Sequence, residues 1–312
     1  MKKWVLKAVV QKAISFLPYK HRINFLFQKY VTKGVNLTEP YFEDRLTHYK
    51  HHSQFQKKYK GTLQGISVLE LGTGWHPVVP IGFFLSGADQ IYTVDISRLT
   101  DRQKVLDTIE LFLQYQKDGR LTEFCEALPE RLKKLEAIIQ QQADYDWEAL
   151  SRALRLNYLV VDARQLPLEA DSIDLITSNN TFEHVYAEVL KDILLSFKRI
   201  VKPDGLMSHF IDMSDHFAHL DPSITIYNFL QFSEAQWARI DNSIQPQNRW
   251  RIPQFRTLYT ELGIPVTEEQ NRVGDLEALQ GVAIHPSFER FSFEELAVSH
   301  SYLVSDLGET GN

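Results

Sequence analysis

The chain has 312 residues, of which 44% are hydrophobic, 24% are charged and 37 are aromatic (19 Phe, 13 Tyr, 5 Trp). This composition is typical of a globular chain with a hydrophobic core, and it excludes disordered, collagen-like and low-complexity proteins. The single cysteine, Cys125, excludes an intramolecular disulfide framework and a zinc site built from several thiolates. The net charge of −6 is unevenly divided: residues 1–60 carry 13 Lys/Arg against 3 Asp/Glu, and the remainder has a balance of −16.

The first 18 residues predict a basic helix rather than a signal peptide. Lys7 and Lys12 interrupt the apolar stretch, and no small-residue cleavage site follows it. No uncharged apolar run of 18 residues occurs, so we expect no transmembrane helix and predict a soluble, cytoplasmic protein. On a helix, the polar residues would form one narrow stripe and apolar side chains would cover the rest; the stripe is Lys3, Lys7, Gln11 and Ser15.

Two interpretations of this basic helix remain open. A basic amphipathic helix can lie on an anionic membrane surface. Alternatively, it packs over the acidic remainder of its own chain or over a second subunit, in which case the protein is a homodimer. The second interpretation is favoured, because cap helices often cover buried active sites.

From about residue 60, short apolar strands alternate with helices. The predicted strands are 67–71, 90–96, 156–161, 173–177, 206–211 and 301–304, and the predicted helices are 78–86, 185–200 and a short one with a capping box at Ser292 and Glu295. Such alternation predicts an α/β fold, a mostly parallel sheet with helices on both faces. The domain prediction is a helical cap over 1–60 and a main domain over 61–312, with a helical insertion at about 101–150 and an acceptor-site elaboration at about 212–260.

The strongest motif follows the first predicted strand. Glu70 precedes Gly72-Thr73-Gly74, where glycines let the backbone approach a ligand closely, and Asp95 ends the second strand, where it can accept hydrogen bonds from ribose hydroxyls. A dinucleotide fingerprint needs a further glycine at the position of Pro77. A carboxylate beside the glycines repels phosphate and suits a ligand with an ammonium or sulfonium charge.

These residues resemble the class I S-adenosylmethionine-dependent methyltransferases, in particular the type-11 group. The resemblance covers roughly residues 60–215 and includes Asn179-Asn180 through Glu183-His184-Val185 after the fourth strand. It implies a seven-stranded Rossmann-like sheet with an antiparallel last strand, S-adenosylmethionine as cofactor, and methyl transfer. The implied cofactor-binding residues are Glu70, Gly72, Thr73, Gly74, Asp95, Ile96, Asp162, Ala163 and Asn179.

The resemblance departs from the family pattern at one position, since the usual third glycine is replaced at His76. A purely structural interpretation also exists, in which the glycines serve a tight turn and Asp95 caps a helix. A scaffold that has lost catalysis is a further alternative.

The acceptor site is predicted after the fifth strand, where three histidines and three aspartates fall within residues 209–221. His216 and His219 are the candidate catalytic bases, with Asp212 or Asp215 to orient them. Asp and His can also ligate a divalent ion, but turn caps and satisfied surface groups are commoner, and we expect no metal.

Downstream residues are candidates for the acceptor pocket. Tyr227 and Trp250 could line it, or belong to the core, and Arg249 and Arg251 could bind a substrate carboxylate, or form ion pairs with the acidic body. No Asn/Asp-Pro-Pro-Tyr/Phe segment follows the fourth strand and no basic aromatic stripe occurs, so we expect no nucleic-acid substrate.

The leading functional hypothesis is O-methylation of a hydroxyl or carboxylate on a small metabolite or a peptide-like acceptor. The second is N- or C-methylation of a small molecule, which uses the same cofactor site. The third is a non-catalytic scaffold, membrane-associated or oligomeric, that uses the basic N-terminal helices.

Overall fold

A seven-stranded sheet forms the centre of the computed structural model, which describes residues 2–17 and 36–308. Its strands are β1 (Ser67–Leu71), β2 (Gln90–Asp95), β3 (Leu156–Val160), β4 (Ile173–Asn179), β5 (Val201–Asp212), β6 (Glu268–Val273) and β7 (Val298–Asp306). Their spatial order is β3-β2-β1-β4-β5-β7-β6. Neighbouring strands among β1–β5 are parallel, whereas β7 is antiparallel to both β5 and β6. The predicted α/β sheet and its antiparallel last strand are confirmed.

Helices cover both faces of this sheet. They are α1 (Lys3–Ser15), α2 (Glu39–Lys60), α3 (Val78–Leu85), α4 (Arg102–Lys117), α5 (Pro129–Gln140), α6 (Trp147–Ala153), α7 (Ala187–Ile200), α8 (Glu234–Ile240), α9 (Ile252–Glu261), α10 (Leu276–Gln280) and α11 (Phe293–Ala297). Within the described part of the chain, no helix is long and apolar enough to cross a membrane. The predicted capping box between Ser292 and Glu295 begins α11.

Successive side chains of the central strands point to opposite faces and build two cores. On one face, Val68 and Leu175 pack with α2, α3, α4 and α5. On the other face, Leu69 and Ile176 pack with α7 and α9. The predicted helical insertion is present as α4, α5 and α6, and α4 and α5 add apolar side chains to the first core.

Helix α2 belongs to this core although the sequence pattern placed it in a separate cap. Phe42, Leu46, Tyr49 and Phe55 are buried against α3 and the sheet. The predicted boundary at residue 60 therefore falls between two layers of one core. Residues 18–35 of the predicted cap lie outside the described residues.

Helix α1 packs on its own chain, as the favoured interpretation expected. The Trp4 ring lies 5.9 Å from the rings of Phe217 and Phe232, and the Lys12 ammonium donates to the carbonyl oxygen of Ala238 at 3.0 Å. The polar stripe of this helix is not all on the surface, because Gln11 is buried and its Nε2 donates to Gln245 Oε1. Several apolar residues consequently face outward, namely Leu6, Val9, Phe16 and Leu17.

Candidate active site

The carboxylate of Glu70, a residue of β1, lies beside the end of the neighbouring strand β4. Asn179 Nδ2 donates to Glu70 Oε1 at 3.3 Å, while Oε2 is buried and has no hydrogen-bond partner among the described residues. Burial raises the pKa of Glu70 to about 7, against the opposing positive charge of Arg45. An unpartnered buried carboxylate is costly, so this position suits a cationic ligand group that supplies the missing partner.

The glycines after β1 have the backbone that the motif predicts. Gly72 and Gly74 have φ angles of 78° and 73°, in the left-handed region that favours glycine. A Cβ on Gly72 would overlap the Thr181 hydroxyl, whereas a Cβ on Gly74 would meet no described atom within 4 Å. Gly72 therefore permits a close approach of the β4 loop, and Gly74 leaves bare backbone facing open space.

Asp95 lies at the end of β2 and is also buried. Its Oδ2 accepts a hydrogen bond from the Tyr158 hydroxyl at 3.1 Å. Burial raises the pKa of Asp95 to about 7, although the Tyr158 hydrogen bond opposes the shift. The adjacent Ile96 side chain is 75% exposed, so an acidic acceptor and an accessible apolar surface stand next to each other, as a ribose and its base require.

Asp162 follows β3 and caps a short 3₁₀ helix of residues 163–165. It accepts hydrogen bonds from the backbone N–H and from Nε of Arg164, both at 3.0 Å, and this pairing lowers the pKa of Asp162. Ala163 beside it is buried. The cofactor-binding roles of Asp162 and Ala163 remain predictions.

Helix α2 contributes to the cofactor site, which the sequence did not reveal. His52 Nε2 lies 2.9 Å from Asn179 Oδ1 and its Nδ1 lies 2.7 Å from the Ser208 hydroxyl. Because an amide oxygen only accepts, Nε2 carries the proton, and the Asn179 amide is oriented with Nδ2 toward Glu70. Burial lowers the pKa of His52 to about 4, so the imidazole is neutral at physiological pH.

The predicted base His216 is held by a carboxylate at the end of β5. His216 Nε2 lies 3.1 Å from Asp212 Oδ2, and His300 Nε2 of β7 lies 3.4 Å from Asp212 Oδ1. Burial would raise the pKa of Asp212, but the His216 hydrogen bond and the charges of both histidines hold it below its usual range. Asp215 does not share this role, since its carboxylate accepts from Asn228 and from a backbone N–H.

His219 stacks on His216 with their ring centroids 5.4 Å apart. The loop that carries both histidines lies under α1, where Lys7 sits 5.5 Å above the Phe217 ring. The structure therefore brings the two predicted bases together and covers part of their loop with the N-terminal helix.

Glu183 and His184 complete this group, although the sequence quoted them only as part of a motif. They lie in a 3₁₀ turn of residues 182–184 just after β4, and the Asn248 side chain donates to carbonyl oxygens on both sides of the turn at 2.8 Å. The rings of His184 and His216 meet edge to face at 4.8 Å. Burial lowers the pKa of His184 to about 4.

The residues of the candidate site form two groups. The cofactor half is Glu70, Gly72–Gly74, Asp95 and Asn179; the acceptor half is Glu183, His184, Asp212, His216 and His219.

The two arginines predicted to bind a substrate carboxylate are structural instead. Both guanidinium groups are buried. Arg251 donates to the carbonyl oxygens of Met213 at 2.5 Å and Leu296 at 2.8 Å, and also to that of Val298. Arg249 donates to two carbonyl oxygens and forms an ion pair with Glu234 at 2.6 Å. Because both side chains are buried and their Nη groups already bond the protein, the structure contradicts the substrate prediction for both residues, and the ion-pair alternative holds for Arg249.

The predicted aromatic lining is also revised. Tyr227 is fully buried and donates its hydroxyl proton to the carbonyl oxygen of Ala297 at 2.9 Å, so Tyr227 belongs to the core. Trp250 is half-buried and packs edge to face on Phe255 of α9 at 5.2 Å. A role for Trp250 in acceptor binding remains a prediction.

Comparison with known proteins gives a family match over part of the chain. Residues 122–208 match a family model described as a methyltransferase domain, a range that includes β3, β4 and most of β5. This match confirms the predicted type-11 resemblance. A comparison with curated proteins gives no match.

Several solved structures are similar to this chain at low sequence identity. One is the PH0226 protein of Pyrococcus horikoshii, 16% identical, covering 93% of this chain and 99% of that chain with a TM-score of 0.48. Another is 1,6-didemethyltoxoflavin-N1-methyltransferase of Burkholderia thailandensis, 12% identical, covering 91% and 85% with a TM-score of 0.47. A third is geranyl diphosphate C-methyltransferase of Streptomyces coelicolor, 10% identical, covering 82% and 78% with a TM-score of 0.43.

Proposed function

We propose that the chain is a class I S-adenosylmethionine-dependent methyltransferase that methylates an oxygen atom of a small metabolite or peptide-like acceptor. The observation that carries this proposal is the Asp212–His216 pair at the end of β5. An alcohol or phenol becomes a good nucleophile only when its proton is removed, and an imidazole oriented by a carboxylate is suited to that task. A carboxylate acceptor needs only to be positioned.

The cofactor half fits the charge of S-adenosylmethionine. The partnerless Glu70 oxygen would receive the cofactor's ammonium group, and Asp95 would accept hydrogen bonds from its ribose hydroxyls. Gly74 leaves room for the ligand to approach the backbone. When bound, the cofactor supplies the electrophilic methyl group.

The chain's own contribution to the reaction is placement and proton transfer. Asn179, held by His52, keeps the Glu70 carboxylate at the strand end. His216 lies on the loop after β5, two strands from β1, and Asp212 fixes the orientation of its ring. Methyl transfer is an in-line displacement, so its rate depends on alignment of the acceptor oxygen with the methyl group and on exclusion of water.

The proposal is tested by methylation with isotopically labelled S-adenosylmethionine over a pool of hydroxyl, carboxyl and amine metabolites. We expect the label in ethers or in alkali-labile esters, and a loss of turnover in His216→Asn of roughly 100-fold for a hydroxyl acceptor. Label found only on nitrogen or carbon would overturn the oxygen assignment. Full turnover in both His216→Asn and His219→Asn would overturn the role of these histidines.

A further inference from the structure

Glu183, His184 and His216 bring three groups that can ligate a metal into one small space. One ligand atom from each residue lies within 4.8 Å of the ligand atoms of the other two. The three residues come from the turn after β4 and the loop after β5, so the arrangement is made by the fold and not by one segment.

A carbonyl group determines which nitrogen of the His184 imidazole carries the lone pair. His184 Nδ1 lies 2.7 Å from the carbonyl oxygen of Pro246. A carbonyl oxygen only accepts, so Nδ1 carries the proton and Nε2 carries the lone pair. This is the arrangement in which metal-binding histidines are usually held, with the second nitrogen donating to a carbonyl or carboxylate.

The second imidazole is held in the same way by a carboxylate. His216 Nε2 donates to Asp212 Oδ2 at 3.1 Å, which leaves Nδ1 to carry the lone pair of the neutral ring. The rings of His184 and His216 meet edge to face with their centroids 4.8 Å apart. Two oriented nitrogen donors are therefore present together.

The third group is a buried carboxylate without a partner. Glu183 is 2% exposed, and neither of its oxygens has a hydrogen-bond partner among the described residues. Burial, and then the negative charge of Asp212, raise the pKa of Glu183 well above its usual range, although the backbone N–H groups of Glu183 and Asp212 oppose the shift. Its backbone is fixed by Asn248, which donates to the Glu183 carbonyl oxygen at 2.9 Å. A cation is the partner that would satisfy this carboxylate and offset its repulsion with Asp212.

We propose that Glu183, His184 and His216 bind one divalent cation of the zinc class. Two imidazoles and a carboxylate suit Zn²⁺ or Co²⁺, whereas Mg²⁺ and Ca²⁺ prefer oxygen ligands. Three protein ligands leave a fourth position open, which is typical of catalytic rather than structural zinc sites.

The catalytic consequence, unlike the binding itself, rests on the proposed function. A cation at this point lowers the pKa of a coordinated acceptor hydroxyl, whose proton leaves to solvent. The oxygen lone pair then forms the bond to the methyl carbon, and the electrons of the carbon–sulfur bond return to sulfur. In the cation-loaded protein the lone pair of His216 binds the cation and cannot accept a proton. His216 can therefore act as a base only in the metal-free protein.

The test uses the full chain after chelation and desalting, titrated with Co²⁺ and followed by visible absorption, with Zn²⁺ as competitor. We expect one Co²⁺ per chain with the intense bands of a four- or five-coordinate site, displaced by one Zn²⁺. Glu183→Gln and His184→Gln should weaken binding roughly 100-fold. His285→Gln is the matched control, since His285 bonds Ser287 outside the cluster, and its affinity should equal wild type.

Three outcomes would overturn the proposal: only the weak bands of hydrated Co²⁺, equal affinity in Glu183→Gln and wild type, or equal loss in His285→Gln. Glu183→Gln removes a buried charge without changing shape, so it should fold, and Zn²⁺ should raise the melting temperature of wild type but not of this variant. S-adenosylhomocysteine binding should survive in Glu183→Gln. Its retention, together with a failed cobalt titration, would reject the metal site while leaving the methyltransferase proposal intact.

Discussion

Glu70 and Asp95 of the cofactor half differ from Asp212 of the acceptor half in the groups that balance their negative charge. In the cofactor half, Glu70 and Asp95 are buried carboxylates whose pKa values burial raises to about 7. In the acceptor half, Asp212 is shared by His216 and His300, which hold its pKa below the usual range. The cofactor half therefore lacks a cationic partner that a ligand can supply, whereas Asp212 already has its partners within the chain.

The largest expected effect is a loss of stability when the buried guanidinium group of Arg251 is removed. Arg251→Ala leaves three buried carbonyl oxygens without their donor, so unfolding free energy should fall by about 3–5 kcal/mol. Denaturant unfolding measures this change, and Arg239→Ala, an exposed arginine on α8, should stay within about 0.5 kcal/mol of wild type. Equal stability of Arg251→Ala and wild type would show that the guanidinium is not a core element.

Glu70→Gln should raise the stability of the fold and weaken cofactor binding. Because burial raises the pKa of Glu70 from 4.5 to about 7, the unfolded chain ionises this group first, and stability is lost as the pH rises from 4.5 to about 7. We expect the glutamine variant to be more stable by about 1–3 kcal/mol at pH 8, with a smaller gain at pH 5, and to bind S-adenosylhomocysteine roughly tenfold or more weakly. Thermal unfolding at both pH values and calorimetry measure the two effects. Glu123→Gln, at an exposed position, should change neither; a Glu70→Gln variant that is less stable at pH 8 would contradict the account.

Cofactor affinity should depend on pH through the same carboxylates. The bound ligand favours ionised Glu70 and Asp95, so affinity for S-adenosylhomocysteine should fall below pH 7, by about tenfold per pH unit for each carboxylate that must ionise, and level off near pH 8. The groups that act on Glu70 include Arg45, Thr73 and Asn179. Calorimetry in a pH series measures the slope. Glu70→Gln should reduce the slope by one proton, and an unchanged slope would exclude Glu70 as a titrating group.

The smallest expected effect concerns α1 and its predicted membrane contact. Leu6, Val9 and Phe16 are exposed on this basic helix, so replacing all three with Ser should reduce co-sedimentation with anionic vesicles severalfold. Lys3→Gln is the control that changes one charge on this helix and leaves the three exposed apolar side chains in place. Equal partition of wild type and a chain lacking residues 1–30 would end the membrane interpretation and leave α1 as a cover for the loop after His216.

The cofactor half could be predicted from sequence because its determinants are local. Gly72 and Gly74 lie within three residues of the end of β1 and Asp95 ends β2, and strand order alone brings those ends to one edge. The orientation of Asn179 could not be predicted, because His52 reaches it from a helix 127 residues earlier in the chain.

The acceptor half was predicted in part for the same physical reason. Asp212 was one of two aspartates suggested to orient the candidate bases, and Asp212 and His216 are hydrogen-bonded. Arg249 and Arg251 were assigned wrongly, because their partners are backbone carbonyl oxygens of distant segments, which leave no pattern of residue types. Glu183 and His184 were visible as a motif, but their grouping with His216 depends on how the loops after β4 and β5 meet.

The central claim is that the edge formed by β1 and β2 binds S-adenosylmethionine, and calorimetry with S-adenosylhomocysteine at pH 8 tests it most directly. The comparison is wild type against Gly72→Ala/Asp95→Ala, in which a Cβ meets Thr181 and the ribose acceptor is removed. We predict one site per chain in wild type and binding weakened roughly 100-fold or more in the double variant. Wild-type binding no tighter than that of a folded double variant would contradict the account.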